Sequence, residues 1–114
     1  MAKAKYLGPA DRLALYEGLV ASVEGVERKG AANPYTSRNG YMTSFIDKEG
    51  EVSIRLDTAE REKFIQQYES RISVQYGKNM PEFVVVPDDL LERPDEIGPW
   101  FALSWEWVGT LDPK

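Results

Sequence analysis

Residues 41–56 read YMTSFIDKEGEVSIRL: two runs rich in β-branched and aromatic residues, YMTSFI and EVSIRL, on either side of the turn-forming DKEG. Such a pattern predicts an antiparallel hairpin, because Gly50 can supply the positive φ that closes a short loop. Taking all of DKEG as turn sets Ile46 opposite Glu51. Side chains alternate across a strand, so this register places Tyr41, Thr43 and Phe45 with Val52, Ile54 and Leu56 on one face. Met42, Ser44, Ser53 and Arg55 fall on the other. The first is the expected core face, with Phe45 and Ile54 toward helices; the second is mixed, with Arg55 pointing away.

Immediately downstream, Asp57-Thr58-Ala59-Glu60 has the spacing of a capping box, and Phe64, Ile65 and Tyr68 give an apolar stripe to a helix of about residues 58–69. RISVQY and EFVVVP read as two further strands, with GKNMP between them as turn. DDLLERP is a helical turn, and a last helix starts at Pro94, where Asp95 and Glu96 suit the positive end of the helix dipole. Upstream, Leu15, Tyr16, Leu19, Val20 and Val23 share one helical face, predicting an amphipathic helix over about residues 9–24. The turn-rich VERKGAANPYTSRNG then predicts a short first strand near Val26, a loop, and a turn at Asn39-Gly40.

The order is therefore α-β-β-β-α-β-β-α. Strands joined by hairpins, with helices at the ends and between the halves, predict a two-layer α+β domain with one antiparallel five-stranded sheet. At 114 residues the chain has room for a single core, so one domain is expected over residues 1–114.

Composition narrows the functional classes. There is no Cys and no His, which removes disulfides, thiolate and imidazole metal ligands, and Cys or His catalysis. No phosphate-binding, dinucleotide or nucleophile-elbow motif occurs, so no catalytic residue, metal or cofactor is expected. With 14 basic against 19 acidic residues, attraction to nucleic acid or anionic membranes is disfavoured. The basic residues Lys3, Lys5, Arg28, Lys29, Arg38, Arg55, Arg71 and Lys78 are dispersed rather than striped. No apolar run approaches the roughly 20 residues of a membrane span. The amino terminus lacks the apolar core of a secretory signal, so the cytoplasm is the expected compartment. The carboxylate pairs Asp88-Asp89, Asp95-Glu96 and Glu60 with Glu62 read as helix N-terminal and solvated charge.

RKGAANPYTSRNGYMTSFIDKEGEVSIRLDTAEREKFIQQY, QYGKNMPEFVVVPDDLL and PWFALSWEWVGTL together resemble the N-terminal domain of the TfoX/Sxy competence-regulator family, in its short stand-alone bacterial form. The resemblance covers nearly the whole chain. It implies the same α-β-β-β-α-β-β-α order, similar to secretion-chaperone-like domains. Regulatory members of the family have a second domain and act with the cAMP receptor protein, so the resemblance carries the fold rather than the competence role. Gly30-Ala31-Ala32-Asn33-Pro34-Tyr35 stands where many members have Met-Phe-Gly.

All three tryptophans lie in PWFALSWEWVGTL, residues 99–111. At about 100° per residue the apolar arc of this helix is near 200°, wider than one-sided packing needs. Phe101 and Trp105 are expected in the core. Trp100, Leu103 and Trp107 form the candidate interface, for a protein partner or a second copy of the chain. The expected function is a non-enzymatic regulatory or protein-interaction module. The alternative is a small-ligand or enzymatic domain using Met42, Arg55 and Tyr35 on the sheet face and the loop at 28–38, where Arg28, Lys29, Tyr35 and Arg38 form a candidate anion or peptide site. A deep enclosed pocket with convergent polar groups favours the alternative.

Overall fold

The chain folds in the order α1 (Ala10–Ala21), β1 (Tyr35–Arg38), β2 (Tyr41–Ile46), β3 (Val52–Arg55), α2 (Thr58–Tyr68), β4 (Ile72–Gln75), β5 (Lys78–Val86), α3 (Asp88–Leu91) and α4 (Pro94–Gly109). The computed structural model describes residues 5–114, and Lys3, one of the dispersed basic residues, lies outside them. The strands form one antiparallel sheet in the order β1-β2-β3-β5-β4. This is the α+β architecture predicted from the sequence.

Local chemistry explains the element ends. Asp57 accepts the Glu60 N–H at 2.9 Å and caps α2, while Glu69 at φ 51° ends it in the left-handed region. Asn39 and Gly40 take φ of 56° and 83°, the mirror-image two-residue turn that suits the twist of paired strands, and join Arg38 to Tyr41. The helices cover one face of the sheet. Tyr16, Leu19 and Val20 of α1, Phe64 of α2, and Ile97 and Phe101 of α4 pack against Ile46, Val52, Ile54, Leu56, Val84 and Val86. Each such buried side chain contributes about 1.5–3 kcal/mol.

The hairpin at 41–56 forms one residue out of the expected register. Ile46 opposes Val52 and Phe45 opposes Ser53. Asp47, counted as turn, is still paired: its N–H donates to the Glu51 carbonyl at 3.0 Å, and its carboxylate accepts the Glu49 and Glu51 N–H groups. The loop is thus three residues long, closed by Gly50 at φ 83°. The slip turns Phe45 away from the helices, and its ring meets Phe83 at 5.3 Å. Ser44 instead faces inward. Val52, Ile54 and Leu56 lie in the core as expected, and Arg55 points away.

A β-bulge restores Met42 to its expected face. Thr36 opposes Ser44 and Ser37 opposes Met42, so Thr43 is the extra residue. Thr36 bonds Thr43 and Ser44, both at 2.5 Å, and Tyr16 bonds Ser44 at 2.7 Å, a chain of hydroxyls buried at the helix–sheet interface. Burial pushes the Tyr16 phenol up to about 12, against the lowering effect of its bonds to Ser44 and Thr36 and of the Arg28 charge.

Two strand positions also differ from expectation. The first strand lies at Tyr35–Arg38 rather than near Val26, which sits in irregular chain; only Lys29 in that segment bridges to the sheet, at Tyr35. Tyr76 and Gly77 are the turn between β4 and β5, with φ of 53° and 76°, so the expected turn GKNMP is mostly strand. Pro81 falls in the irregularity of the β4–β5 ladder, between Met80, which opposes Ser73, and Val84, which opposes Ile72, and just before β3 joins β5 at Phe83. A residue without an N–H is tolerated there because the ladder is already interrupted.

Candidate functional site

The face of the sheet opposite the helices is folded over on itself. Ser53 of β3 donates to Ser73 of β4 at 3.0 Å although β5 runs between those strands. Gln75 reaches Asp47 at 3.1 Å and Arg71 pairs with Glu51 at 2.7 Å, so β4 is drawn toward the loop between β2 and β3. The curl at Pro81 leaves a partly open groove of about 670 Å³. Met42, Phe45 and Met80 give it an apolar lining, with Tyr35 and Pro34 on one bank and Tyr76 on the other. Lys48, Glu49, Lys78 and Asn79 add polar groups to its lining, all of them exposed.

Arg55, the cation expected on this face, is fully engaged. Its Nε donates to the Met42 carbonyl at 2.8 Å, Nη1 meets Glu82 at 2.5 Å, and the guanidinium lies 4.7 Å from the Phe83 ring and 5.7 Å from that of Tyr41. Of the four loop residues, only Tyr35 lines the groove. Lys29 bonds Ser37 at 2.8 Å; Arg28 faces Glu17 at 3.7 Å; Arg38 donates to the Trp105 carbonyl at 2.9 Å and lies 4.9 Å from the Trp105 ring. They are distributed over three neighbourhoods and form no common site.

The α4 residues separate likewise. Phe101 is fully buried, while Trp105 is half-buried beneath Arg38. Trp100 meets Phe64 edge-on at 5.2 Å and donates its indole N–H to Tyr68 at 3.1 Å. That phenol is raised by burial first and then by Glu96. Leu103 and Trp107 are half-buried. Among the described residues the strongly exposed large apolar ones are Leu7, Val74 and Tyr76, of which the last two belong to the edge hairpin of the sheet.

Each expected carboxylate pair has a member in an ion pair: Asp88 with Arg12 at 2.8 Å, Glu96 with Arg93 at 2.7 Å, Glu60 with Lys63 at 3.3 Å. Among the described residues no group of three or more His, Cys, Asp or Glu is placed to hold a metal ion, and no helix is long and apolar enough to cross a membrane. Asp47, the less exposed of the two carboxylates in the groove lining, accepts from two backbone N–H groups and Gln75, which fits a structural rather than a proton-transfer role. What the arrangement offers is apolar, shape-adaptable contact. Gln75, Tyr76 and Met80 escaped the sequence reading; the signals for them are Tyr76-Gly77 as a two-residue turn and Pro81 as a break inside a strand. Compared with known proteins, the chain matches no family model, no curated protein and no solved structure.

Proposed function

We propose that the chain is a non-enzymatic protein-interaction module that holds an apolar, extended segment of a partner protein in the groove beneath the β4–β5 hairpin. The observation carrying this reading is the lining itself: Met42, Phe45 and Met80 in a groove of about 670 Å³, with exposed polar groups and without a convergent set of reactive side chains. Methionine is unbranched and polarizable, and suits a surface that must adapt to varied apolar side chains. In this reading the domain is of the TfoX/Sxy N-terminal type, works in the cytoplasm as a regulatory adaptor, and contacts no nucleic acid directly. The element order and the net charge of −5 support that assignment.

A second reading, an apolar small-ligand site, draws on the volume, which falls within the roughly 300–1,000 Å³ of ligand pockets. Peptide display against the purified protein separates the two. The expected result is enrichment of sequences with large apolar residues at alternate positions, whose binding is lost in Met80→Lys. Binding of apolar dyes without any peptide selection supports the small-ligand reading instead.

A further inference from the structure

Residues 73–80, the outer half of the β4–β5 hairpin, form an arm laid across the open face of the sheet. Ser73 opposes Met80, Val74 opposes Asn79 and Gln75 opposes Lys78, so the ladder of the arm is closed within itself. Inward of Ser73 the register breaks. Ile72 opposes Val84, which makes Pro81, Glu82 and Phe83 extra residues of β5. Glu82 and Phe83 are held from the other side, where the Glu82 carbonyl accepts the Leu56 N–H at 2.9 Å and Phe83 pairs with Arg55. The arm therefore begins where β5 parts from β3, and the exposed Pro81 stands at the junction.

Among the described residues, two side-chain hydrogen bonds fasten the arm to the rest of the molecule. Ser53 donates to Ser73 at 3.0 Å beside the junction, and Gln75 donates to the Asp47 carboxylate at 3.1 Å toward the far end. Ile72 packs on the core, whereas Val74 and Tyr76 face solvent, 45% and 95% exposed. The junction is loosely packed: Met80 lines both the groove and a smaller hollow of about 350 Å³ that it shares with Arg55, Pro81 and Phe83.

We propose that the arm is a strap that swings about Ser73 and Pro81 to widen and close the groove, with Gln75 on Asp47 as its latch. A hinge needs a few residues at the end of an element that absorb the change of backbone angles. The break in register supplies them, and the swing costs no backbone hydrogen bond because the ladder of the arm travels with it. The Ser53–Ser73 bond lies at the pivot, where displacement is least. The latch keeps its acceptor ready, since the Glu49 and Glu51 N–H groups hold the Asp47 carboxylate in place whether or not Gln75 is there. The purpose of the strap rests on the groove being a binding site; its motion does not.

Distances between pairs of spin labels test it, and a chain without cysteine takes labels at introduced cysteines alone. Glu62→Cys on α2 with Lys78→Cys on the arm, both exposed, should give two distances, closed and open. Glu62→Cys with Lys48→Cys, which omits the arm, should give one. Gln75→Glu sets a second carboxylate against Asp47 and should raise the ratio of open to closed about tenfold, while Gln75→Lys should lower it. Circular dichroism should be the same in all. One unchanged arm distance throughout, or a ratio that the two Gln75 variants shift alike, overturns the proposal. A short peptide of alternating serine and leucine then separates strap from groove. It should bind and change the ratio; binding that leaves the ratio unchanged overturns the strap as a gate. Failure to bind while the arm still answers to the Gln75 variants upholds the strap and rejects the groove reading.

Discussion

The hydroxyl of Ser53 lies 3.0 Å from that of Ser73, although their strands are separated by a third. In a flat sheet, strands two places apart are about 9.5 Å from each other. The short contact therefore measures how far the β4–β5 hairpin has curled over the face that carries the groove. Both side chains are fully buried. Ser53→Ala should cost about 1–3 kcal/mol in urea unfolding, because it strands the Ser73 hydroxyl away from water. The double variant with Ser73→Ala should lose less than the sum of the two single ones.

Alkaline unfolding should report on Tyr16. Its folded pKa is raised above the ordinary phenol value of 10.0 to about 12. The neutral form is therefore favoured by folding, and the stability it confers is complete below pH 10 and lost as pH rises through the folded value. The difference corresponds to about 3 kcal/mol. Against Tyr16→Phe, which cannot ionise, the native chain should lose about that much more stability between pH 10 and pH 12, read by chemical denaturation at each pH.

The aromatic cluster of α4 should divide by position. Phe101→Ala should cost about 3–5 kcal/mol, as truncation of a buried ring does. Trp100→Ala should cost less, about 2–3 kcal/mol, because the residue is half-buried but packs on Phe64 and donates to Tyr68. Trp107→Ala should cost under about 1 kcal/mol. Equal melting-temperature losses at positions 100 and 107 would contradict the division.

Asn39 should prove sensitive to a single-atom change. Its Nδ2 faces the carbonyls of Val108, Gly109 and Leu111 at 3.2, 3.4 and 3.3 Å, closing the carboxyl end of α4 from outside the helix. Asn39→Asp keeps the shape but turns a donor into a negative charge at the negative end of the dipole, and should cost about 1–2 kcal/mol near neutral pH. Asn39→Gly should cost less, since it keeps the left-handed backbone at φ 56°. Thermal melts at low and high salt check both.

Where one residue carries its own geometric signal, the fold was legible in the sequence. Asp57 three places before Glu60, Asn39 before Gly40, and Pro94 at a helix start each fix a local structure without reference to the rest of the chain. The face of Phe45 was not legible, because two non-local facts decide it. Asp47 pairs with Glu51 instead of joining the turn, and Thr43 forms a bulge whose hydroxyl bonds Thr36 of β1 while the adjacent Ser44 bonds Tyr16 of α1. The groove was hidden for the same reason. Tyr35 and Met42 were named from the sheet face, but Gln75 and Met80 join them only through the curl of a hairpin whose turn is Tyr76-Gly77.

The clasp between Asn39 and the end of α4 has a consequence for the timing of folding. Arg38 and Asn39 bond to residues 67 to 72 positions later in the chain, Tyr41 to Asp112, and Asn39 accepts the N–H of Lys114. Contacts of such separation are closed late, after the intervening chain has been ordered. During synthesis, then, β1 and β2 leave the ribosome well before the residues that fasten them, and wait with one edge of the sheet unsecured. The hairpin nearest the start of the sheet is the last to be locked. A pause in translation before residue 105 would hold the chain in its most adhesive form.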